Sequence, residues 1–554
     1  MTEATPDDLE TRLGDPRDPS NPLSYEAVTA ADERGEPLAA GEDMLDGFGL
    51  NAEFVPARLG GRLVQADRIG LPVRALFRRD PSLGLGYGVT SYAAAVPVWV
   101  SGSDDQQARL AALLLRGRKV AAAYPEPPHV DDPARGGPAA RPDPAGLVLD
   151  GREELVGNAA RADAIVLLAR TGDGPGDRSH LLVETAALPP GRLVHLPRAR
   201  TSGMRGLLLG GIEFDACPVP DEVVGERDAA METVPPVLQA TRAVLPGVVI
   251  GALDTQLRVA VDFARGRTLY GGSVAAFPNV RSALVGAFLD VLVCDVLATV
   301  AARALHLMPG EAGMLTAAAK HLVPRLLHEA SYSLSVTVGA RSYMREGRHA
   351  VFQKLMRDIP VAAFADAGAA VRATAIVPRL PGLATGARDA AEPPDALFDV
   401  GGDLPELDFG RLTADGGTAR GLGALLAAAA ADGDPRVAGP GGRLAAELDL
   451  LTARCAALPP HPPERIGLPR GTRPRSGSWR RAARPTTWPA ATPSCSRRPR
   501  ASACGGGAAA SPPGRTGSRP SSPGWSPGSG RRYRPPSPGR RRRPSRSRRP
   551  WRPS

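Results

Sequence analysis

The sequence predicts an α+β protein with a helical N-terminal domain, a small central β-barrel or sheet domain and a C-terminal four-helix bundle. Three observations predict this order. Apolar residues recur at helical spacing through residues 1–118. Short apolar runs separated by Gly, Pro and Asp turns fill residues 119–230, which is typical of a small sheet. Four long Ala- and Leu-rich stretches, joined at Gly and Pro breaks, follow in residues 231–385.

A serine-containing turn predicts the start of one helix in the first domain. Ser101 or Ser103 can accept a hydrogen bond from a free N–H group of the first helical turn. Leu110, Leu113 and Leu114 then fall on one face of the helix that follows.

Charge is divided unevenly along the chain. The formal net charge is +10, but residues 470–554 hold 22 Arg and no Asp, Glu or Lys. The rest of the chain contains the remaining 46 basic residues and all 58 acidic ones, so it carries a net charge of −12. The basic balance of the whole chain therefore does not predict a nucleic-acid-binding body. Residues 386–468 read as an acidic, turn-rich linker with a helical extension of one or two helices.

Residues 469–554 form a tail with a narrow amino-acid composition. From Gly471 onward only Ala, Cys, Gly, Pro, Arg, Ser, Thr and Trp occur, apart from Tyr533. Codons with G or C at the second position encode these eight, so we interpret the tail as a GC-rich gene read out of frame. The alternative is a genuine Arg-rich arm that binds nucleic acid electrostatically. In both cases the tail lacks the apolar residues that a core needs, and we expect it to be disordered.

Composition and spacing also predict a compartment. No run of about 18 uninterrupted apolar residues predicts a transmembrane helix. The acidic, polar N-terminus has no apolar segment like that of a signal peptide. The five cysteines are scattered without metal-like or disulfide-like spacing. We therefore expect a cytoplasmic protein that has no membrane partner and no metal site.

Four local motifs occur in the order that one known family shows. They are LDGREELVGNAARAD (149–163), GMRGLLLGGIEFDACPVPDEVVGE (203–226), ARGRTLYGG (264–272) and GARSYMREG (339–347), the last followed by Arg-Asp at 357–358. With the domain order, these motifs resemble the acyl-CoA dehydrogenase family. The matching family patterns are Gly-x-Lys-x-Trp-Ile-Thr-Asn, Gly-x-Arg-Gly, Arg-x-x-Phe-Gly, and Gly-Gly-x-Gly-Tyr with a later Arg-Asp.

The resemblance implies FAD as cofactor and an acyl thioester, carried by CoA or a carrier protein, as substrate. It places Arg267 on the FAD diphosphate, and it makes Tyr270, Gly271 and Gly339 further cofactor-binding positions. It also places Arg242 near the reactive end of the substrate. In the family, a Glu removes the α-proton of the thioester while the flavin takes a hydride from the β-carbon. Family members assemble as dimers or tetramers, so the resemblance implies a homodimer or homotetramer.

The loop that binds the flavin in the family is largely altered. The pattern Thr-Glu-Pro-x-x-Gly-Ser-Asp falls on residues 125–132, where Glu126, Pro127 and Asp132 match it. A proline, which has no hydroxyl, stands in place of the Thr that would contact the flavin ring. An aspartate stands in place of the Ser that would meet the diphosphate, and its charge would repel a phosphate.

Further departures fall on the next strand and on the catalytic position. Leu155 replaces the Trp that contacts the flavin ring, and Gly157 replaces the neighbouring Thr. Counting from the Arg-Asp pair, the catalytic Glu position falls on Asp366. An Asp keeps the carboxylate but retreats by about 1.5 Å, enough to cost orders of magnitude in rate without backbone compensation.

Each candidate residue also has a simpler interpretation. Asp366 can cap a helix start or lie in solvent. Arg242 can be a surface helix residue, and Arg267 can belong to a basic loop. Glu126 and His129 can belong to a polar surface loop.

Two functions therefore stay open at the level of sequence. The first is a flavin-dependent oxidoreductase that acts on the CH–CH bond of an acyl thioester, with Asp366 as base and Arg267 on FAD. The second is a non-catalytic relative that keeps the fold for ligand binding or oligomer assembly. The sequence has no phosphate-binding Gly-rich Lys-Ser/Thr loop, no His-Glu-x-x-His and no Gly-x-Ser-x-Gly elbow that would predict another enzyme class.

Overall fold

A computed structural model describes residues 6–124, 137–174, 176–363, 376–387, 392–413, 417 and 420–458. The tail predicted over residues 469–554 lies outside the described residues, and both interpretations of it stay predictions.

Helices form the first part of the chain, as the periodicity predicts. They are α1 (Pro6–Leu13), α2 (Tyr25–Arg34), α3 (Ala39–Phe48), α4 (Ala66–Arg79), α5 (Pro81–Leu83), α6 (Thr90–Ser101) and α7 (Asp104–Leu115), with a π-helical turn over Gly84–Val89. Ser103 caps α7, because its hydroxyl accepts from the Gln106 amide at 3.2 Å while the Gln106 side chain accepts from the Ser103 amide at 3.1 Å. Leu110 and Leu114 on this helix are buried in the core, as predicted.

The central part of the chain is one twisted sheet. Its strands are β1 (Val120–Ala123), β2 (Ala139–Asp143), β3 (Gly146–Gly157), β4 (Ala164–Arg170), β5 (Arg178–Glu184), β6 (Leu193–Leu196), β7 (Leu209–Val219) and β8 (Val223–Val224). The order is β6-β7-β3-β2-β4-β5-β8, and β1 also pairs with β4. Most pairings are antiparallel, but β1 and β2 both run parallel to β4, one after the other along its edge. The turn pattern of the sequence did not predict these parallel pairs.

Helices return after the sheet. They are α8 (Ala230–Gly266), α9 (Pro278–Leu307), α10 (Ala312–Val338), α11 (Ala350–Asp358), α12 (Leu380–Gly386), α13 (Leu422–Ala430) and α14 (Pro435–Ala456), and a short hairpin of β9 (Thr268–Leu269) and β10 (Gly272–Ser273) follows α8. Long α8, α9 and α10 pack on one another, and the shorter α11 lies against α8 and α2. The predicted fold class, helices followed by a small sheet and a helical bundle, is confirmed.

A single apolar core joins the helical parts to one face of the sheet. Val120, Val166 and Leu182 of the sheet share this core with α4, α6 and α8. The opposite face of the sheet has a smaller core of its own, which includes Ile165, Leu181 and Phe214. Successive side chains of a strand point to opposite faces of the sheet, so neighbouring residues pack into different cores.

The first part of the predicted acidic linker is packed rather than free. Residues 392–413 cross α4, α6 and α9, and they bury Leu404, Leu407 and Phe409. The Leu407 amide donates to Val64 O at 2.8 Å, which ties this segment to the start of α4. We call residues 392–413 the strap.

Buried Arg303 and His306 at the end of α9 hold the strap in place. The Arg303 guanidinium donates to Ala396 O at 2.8 Å and Gly402 O at 3.0 Å, and it pairs with Asp67 at 2.7 Å. His306 Nε2 accepts from the Ala66 amide at 3.0 Å, while Nδ1 lies 3.0 Å from Pro405 O. This arrangement needs a neutral imidazole with its proton on Nδ1.

One bundle helix carries an exposed apolar face. Three helical segments, at residues 81–101, 230–266 and 278–307, are long and apolar enough to cross a membrane by length and composition alone. The first two are explained by burial, because 83% of each apolar window lies inside the protein. Only 17% of the α9 window is buried. The described residues of this chain therefore leave most of the α9 window uncovered. The prediction that the protein has no membrane partner remains untested.

Two buried histidines link stability to pH. Burial lowers the pKa of His306, and it lowers the pKa of His180, a fully buried residue of β5, to about 4. Both groups stay neutral in the folded protein while the unfolded chain takes up a proton near its ordinary pKa of about 6.5. Above about pH 6.5 these two histidines therefore do not lower the free energy of unfolding. As the pH falls from about 6.5 towards 4, protonation of the unfolded chain lowers it progressively.

We expect the free energy of unfolding to fall on acidification, with His180 alone contributing about 2 kcal/mol by pH 5. His180→Phe should remove this part of the pH dependence, because Phe has no group that takes up a proton. The variant should still fold, since Phe keeps the edge-on contact with Tyr124 and Thr233 keeps its bond to Ala230 O. Urea unfolding of the full chain at about pH 7.5 and about pH 5 measures the change in the free energy of unfolding. These two pH values lie on either side of the ordinary histidine pKa of about 6.5 in the unfolded chain.

His195→Gln is the matched control, because His195 is exposed on β6. The control should keep the wild-type pH dependence. A His180→Phe protein with an unchanged loss of stability at low pH would contradict the assignment.

Candidate functional site

The predicted Arg267 position lies where α8 ends. Arg267 follows the last helical residue, and its guanidinium lies over the Phe263 ring at 5.5 Å. The chain then reverses in the β9–β10 hairpin, whose turn residues Tyr270 and Gly271 both have positive φ, 51° and 79°. This is the two-residue turn that matches the twist of a hairpin. It leaves the Tyr270 side chain 97% exposed at the tip.

The predicted Gly339 position ends α10 and turns the chain towards the same place. Gly339 has φ 65° and ψ −142°, a conformation that glycine adopts and residues with a side chain avoid. The tight turn over Gly339–Tyr343 follows and brings Arg341 beside the end of α8. Arg267, Arg341, Arg348 and His349 thus line one cavity of about 460 Å³.

Two motifs that are far apart in the sequence therefore meet in space. The Arg-x-x-Phe-Gly-like segment lines the cavity through Gly266, Arg267 and Thr268, and the Gly-Gly-x-Gly-Tyr-like segment lines it through Arg341. Its volume is within the range of small-molecule sites. Cationic side chains dominate its lining, and the arrangement suits an anion better than an apolar ligand.

The predicted flavin-ring positions lie elsewhere, at the end of β3. Leu155 is partly exposed there, and Gly157 packs against α6 so closely that an added Cβ would lie 2.9 Å from Thr90 Cγ2. The next residue, Asn158, is fully buried and donates through Nδ2 to Gly86 O at 2.6 Å and to Thr90 Oγ1 at 3.0 Å. This end of the strand is bonded to the helical domain, and a Thr at position 157 would require the Thr90 side chain to move.

Arg242 is a buried residue of α8, with 5% exposure. The alternative of a surface helix residue is therefore wrong. Burial of a guanidinium is costly and requires partners. Its proposed contact with the substrate stays a prediction.

Several predicted positions lie outside the described residues. They are Glu126, Pro127, His129, Asp132 and Asp366. Their roles in cofactor binding and catalysis stay predictions.

The sequence did not single out Lys354, which lies at the centre of a buried charged cluster. Its ammonium lies 2.6 Å from Asp80 Oδ1 and 2.6 Å from Asp358 Oδ2, and all three side chains are almost fully buried. Burial alone would lower the pKa of Lys354, but the two carboxylates raise it above its ordinary value. We call these three residues the Lys354 cluster.

The Lys354 cluster also explains why two motifs occur together. Asp358 of the Arg-Asp pair accepts from the Met204 amide at 2.6 Å, inside the Gly-x-Arg-Gly motif. Arg357 pairs with Asp32 at 2.6 Å and donates to Ser202 O at 2.7 Å. A Cβ on Gly203 would lie 2.0 Å from Arg357 O, so only glycine permits this approach.

Known proteins are similar to this chain in sequence and fold. Residues 231–379 match the family described as acyl-CoA dehydrogenase, C-terminal domain. The human mitochondrial short-chain specific acyl-CoA dehydrogenase is 24% identical over 245 residues, which is 44% of this chain and 59% of that protein. The chain is an acyl-CoA-dehydrogenase-like protein.

Two further comparisons extend the likeness. An L-prolyl-[peptidyl-carrier protein] dehydrogenase from a Serratia species is 22% identical over 263 residues, which is 43% of this chain and 62% of that protein. A glutaryl-coenzyme A dehydrogenase solved with glutaryl-CoA has a TM-score of 0.60 at 17% identity, covering 69% of this chain and 97% of that one. The sequence matches thus span about three fifths of the length of these relatives, and the structural match shows the fold.

The acyl-CoA-dehydrogenase-like chain fits one end of FAD better than the other. The cationic cavity at the ends of α8 and α10 suits a diphosphate. At β3, Asn158 matches the last residue of the family pattern, but Leu155 and Gly157 lack the ring-contacting groups. The described residues therefore suit the diphosphate of FAD better than its flavin ring.

We expect Lys354→Met to lower the free energy of unfolding by about 3–5 kcal/mol, because it leaves Asp80 and Asp358 buried without their cation. Arg325→Met is the control, since Arg325 pairs with Glu329 on the solvent side of α10. An exposed pair of this kind contributes at most about 1 kcal/mol. Urea unfolding at neutral pH measures both, and equal effects of the two substitutions would contradict a central role for the Lys354 cluster.

Proposed function

We propose that this protein is a FAD-dependent oxidoreductase that removes two hydrogens across the CH–CH bond next to an acyl thioester. The observation that carries the proposal is the cationic cavity at Arg267 and Arg341. Two family-like motifs, separated in the sequence by the two bundle helices α9 and α10, both line this cavity, which suits the FAD diphosphate. The thioester is carried by CoA or by a carrier protein, and both kinds of relative resemble this chain.

Each part of the reaction needs a distinct group. FAD would supply the acceptor for the β-hydride. Arg267 would hold the diphosphate through bidentate hydrogen bonds. Asp366 is our candidate for the base that takes the α-proton, and it needs a dry environment that raises its pKa towards neutrality. Arg242, buried on α8, is our candidate for a substrate contact.

One observation favours a second function, a non-catalytic relative that binds an acyl ligand or serves assembly. Gly157 abuts Thr90 of α6, so the ring-side Thr of the family would fit there only if the Thr90 side chain moved. Leu155 offers no hydrogen bond and no indole face to a flavin. A chain selected for redox catalysis would be under pressure to keep these contacts.

The absorption spectrum of the full chain, purified and then mixed with FAD, separates the two functions. We expect a bound-flavin band at about 450 nm, a position set by the cofactor itself. Asp366→Asn should keep this band but lose its bleaching by acyl-CoA, because an amide cannot accept the α-proton. Glu329→Gln, an exposed change on α10, is the control and should bleach as the wild type does. A colourless wild type that takes up no FAD would reject the oxidoreductase and leave the non-catalytic function.

We further propose that the protein is a homo-oligomer assembled through α9. Six side chains on one face of this helix are between 44% and 58% exposed: Val285, Phe288, Leu289, Leu292, Val293 and Val296. Their spacing forms a continuous stripe, as in helices that pack on a partner helix. Tyr332 and Val336 on α10 extend the apolar surface. A second copy of this chain offers the same stripe and can cover it by two-fold symmetry.

We expect the double change Leu289→Glu and Val293→Glu to convert the oligomer into a monomer, because a buried stripe cannot hold four facing carboxylates. Light scattering coupled to size-exclusion chromatography gives the mass. Val400→Glu, an equally exposed site on the strap, should leave the assembly intact. A monomeric wild type in solution, or one that sediments with phosphatidylcholine vesicles, would reject the second copy as the occupant.

A further inference from the structure

The cavity at the ends of α8 and α10 contains more positive charge than the family-like motifs account for. Only Arg267 belongs to a predicted phosphate contact. Arg341 occupies the variable position of the Gly-Gly-x-Gly-Tyr-like segment, and Arg348 and His349 follow it on the approach to α11. These three residues had no predicted role.

Within the described part of the chain, the arginines that line the cavity form no ion pairs with carboxylates, whereas neighbouring arginines do. Among the described residues, no carboxylate pairs with Arg267, Arg341 or Arg348. Arg258, two turns earlier on α8, pairs with Asp254 at 3.0 Å, and Arg345 pairs with Glu33. The three arginines that line the cavity thus form no ion pair with a described carboxylate.

The acidic groups near the cavity are already neutralised. Asp262, the carboxylate in the lining, pairs with Arg17 of the N-terminal segment. The Ser273 hydroxyl donates to Ala264 O at 3.0 Å, which satisfies one of the last carbonyls of α8. The ion pair with Arg17 therefore leaves Asp262 less able to offset the positive charge of the three arginines.

Aromatic contacts hold part of the cavity in shape. The Arg267 guanidinium stacks over Phe263, and the His349 ring meets Phe263 edge-on at 5.5 Å. Burial lowers the pKa of His349, and the charges of Arg348 and Arg341 lower it further, so these cations lie close to the ring. A neutral His349 can offer an N–H to a ligand without adding charge.

We propose that Arg341 and Arg348 act with Arg267 as a three-guanidinium clamp for the diphosphate of an adenine nucleotide. The proposal rests on the proposed function, since FAD is the first source of such a diphosphate, and the ADP portion of CoA is the second. A diphosphate presents two adjacent anionic groups, and guanidinium groups bind such oxygens bidentately. Three unpaired guanidinium groups around one cavity fit this ligand better than a single carboxylate.

The clamp also accounts for how a chain with altered ring contacts can retain FAD. Losses at residues 125–132, Leu155 and Gly157 remove favourable contacts with the flavin ring. Additional arginines beside the diphosphate would supply a larger share of the free energy of FAD binding. Binding dominated by exposed charges is strongly screened by salt.

Binding of FAD, CoA, ADP and inorganic pyrophosphate to the full chain tests the clamp by titration calorimetry at low and high salt. We expect Arg341→Gln and Arg348→Gln each to weaken the binding of the responsible nucleotide about 10- to 100-fold, as loss of charged hydrogen bonds does. Both should also reduce its salt dependence. Arg265→Gln is the matched control, because Arg265 is an exposed arginine at the same helix end that does not line the cavity. Thermal unfolding checks that each variant is folded.

The outcomes distinguish FAD from CoA as the ligand, and they distinguish failure of the clamp from failure of the proposed oxidoreductase function. Weakened FAD binding with unchanged CoA binding identifies FAD as the ligand of the clamp, and the reverse identifies CoA. A wild type that binds ADP or CoA through Arg341 but takes up no FAD rejects the oxidoreductase while supporting the clamp. Wild-type affinity of both variants for all four ligands overturns the clamp, and so does a wild type that binds none of them.

Discussion

The buried ammonium of Lys354 is the interaction on which the assembly of this protein depends. It lies between Asp80, at the junction of α4 and α5, and Asp358, at the end of α11. Asp358 in turn receives the Met204 amide from the loop before β7. One cation therefore joins the first helical part, the sheet and the bundle. A buried ion group is costly to form and more costly to leave incomplete, so it favours the one arrangement in which all partners are present.

This junction lies close in the sequence to the predicted catalytic base. The predicted base, Asp366, follows Asp358 by eight positions in the sequence. The orientation of the chain where it leaves α11 is fixed by Arg357 and Asp358, which are held by Asp32, Lys354 and the loop at Ser202. The Gly-x-Arg-Gly and Arg-Asp motifs thus form a structural joint. Their resemblance to the family indicates a common fold, and it does not by itself indicate a common reaction.

The two ends of the proposed cofactor site differ in how they are packed. Arg267 and Arg341 lie at the exposed ends of α8 and α10, where substitutions generally cost little in packing. At the end of β3, Asn158 is bonded to Thr90 of α6, and a side chain on Gly157 would require the Thr90 side chain to move. The ring end is therefore closely packed, while the other end is open to solvent.

The sequence by itself determined the order of helices, sheet and bundle and the positions of the family-like motifs, because periodicity is a local property. It limited the cap of α7 to Ser101 or Ser103, and the structure selects Ser103. It did not identify Lys354, Asp80 or His306, since a single charged residue in a helix has no local mark of burial. Nor did it show that Arg267 and Arg341 share a cavity or that the strap is packed. These features depend on contacts between residues tens to hundreds of positions apart, and only the tertiary structure decides which side chains meet, which charges lose water and which stay unpaired.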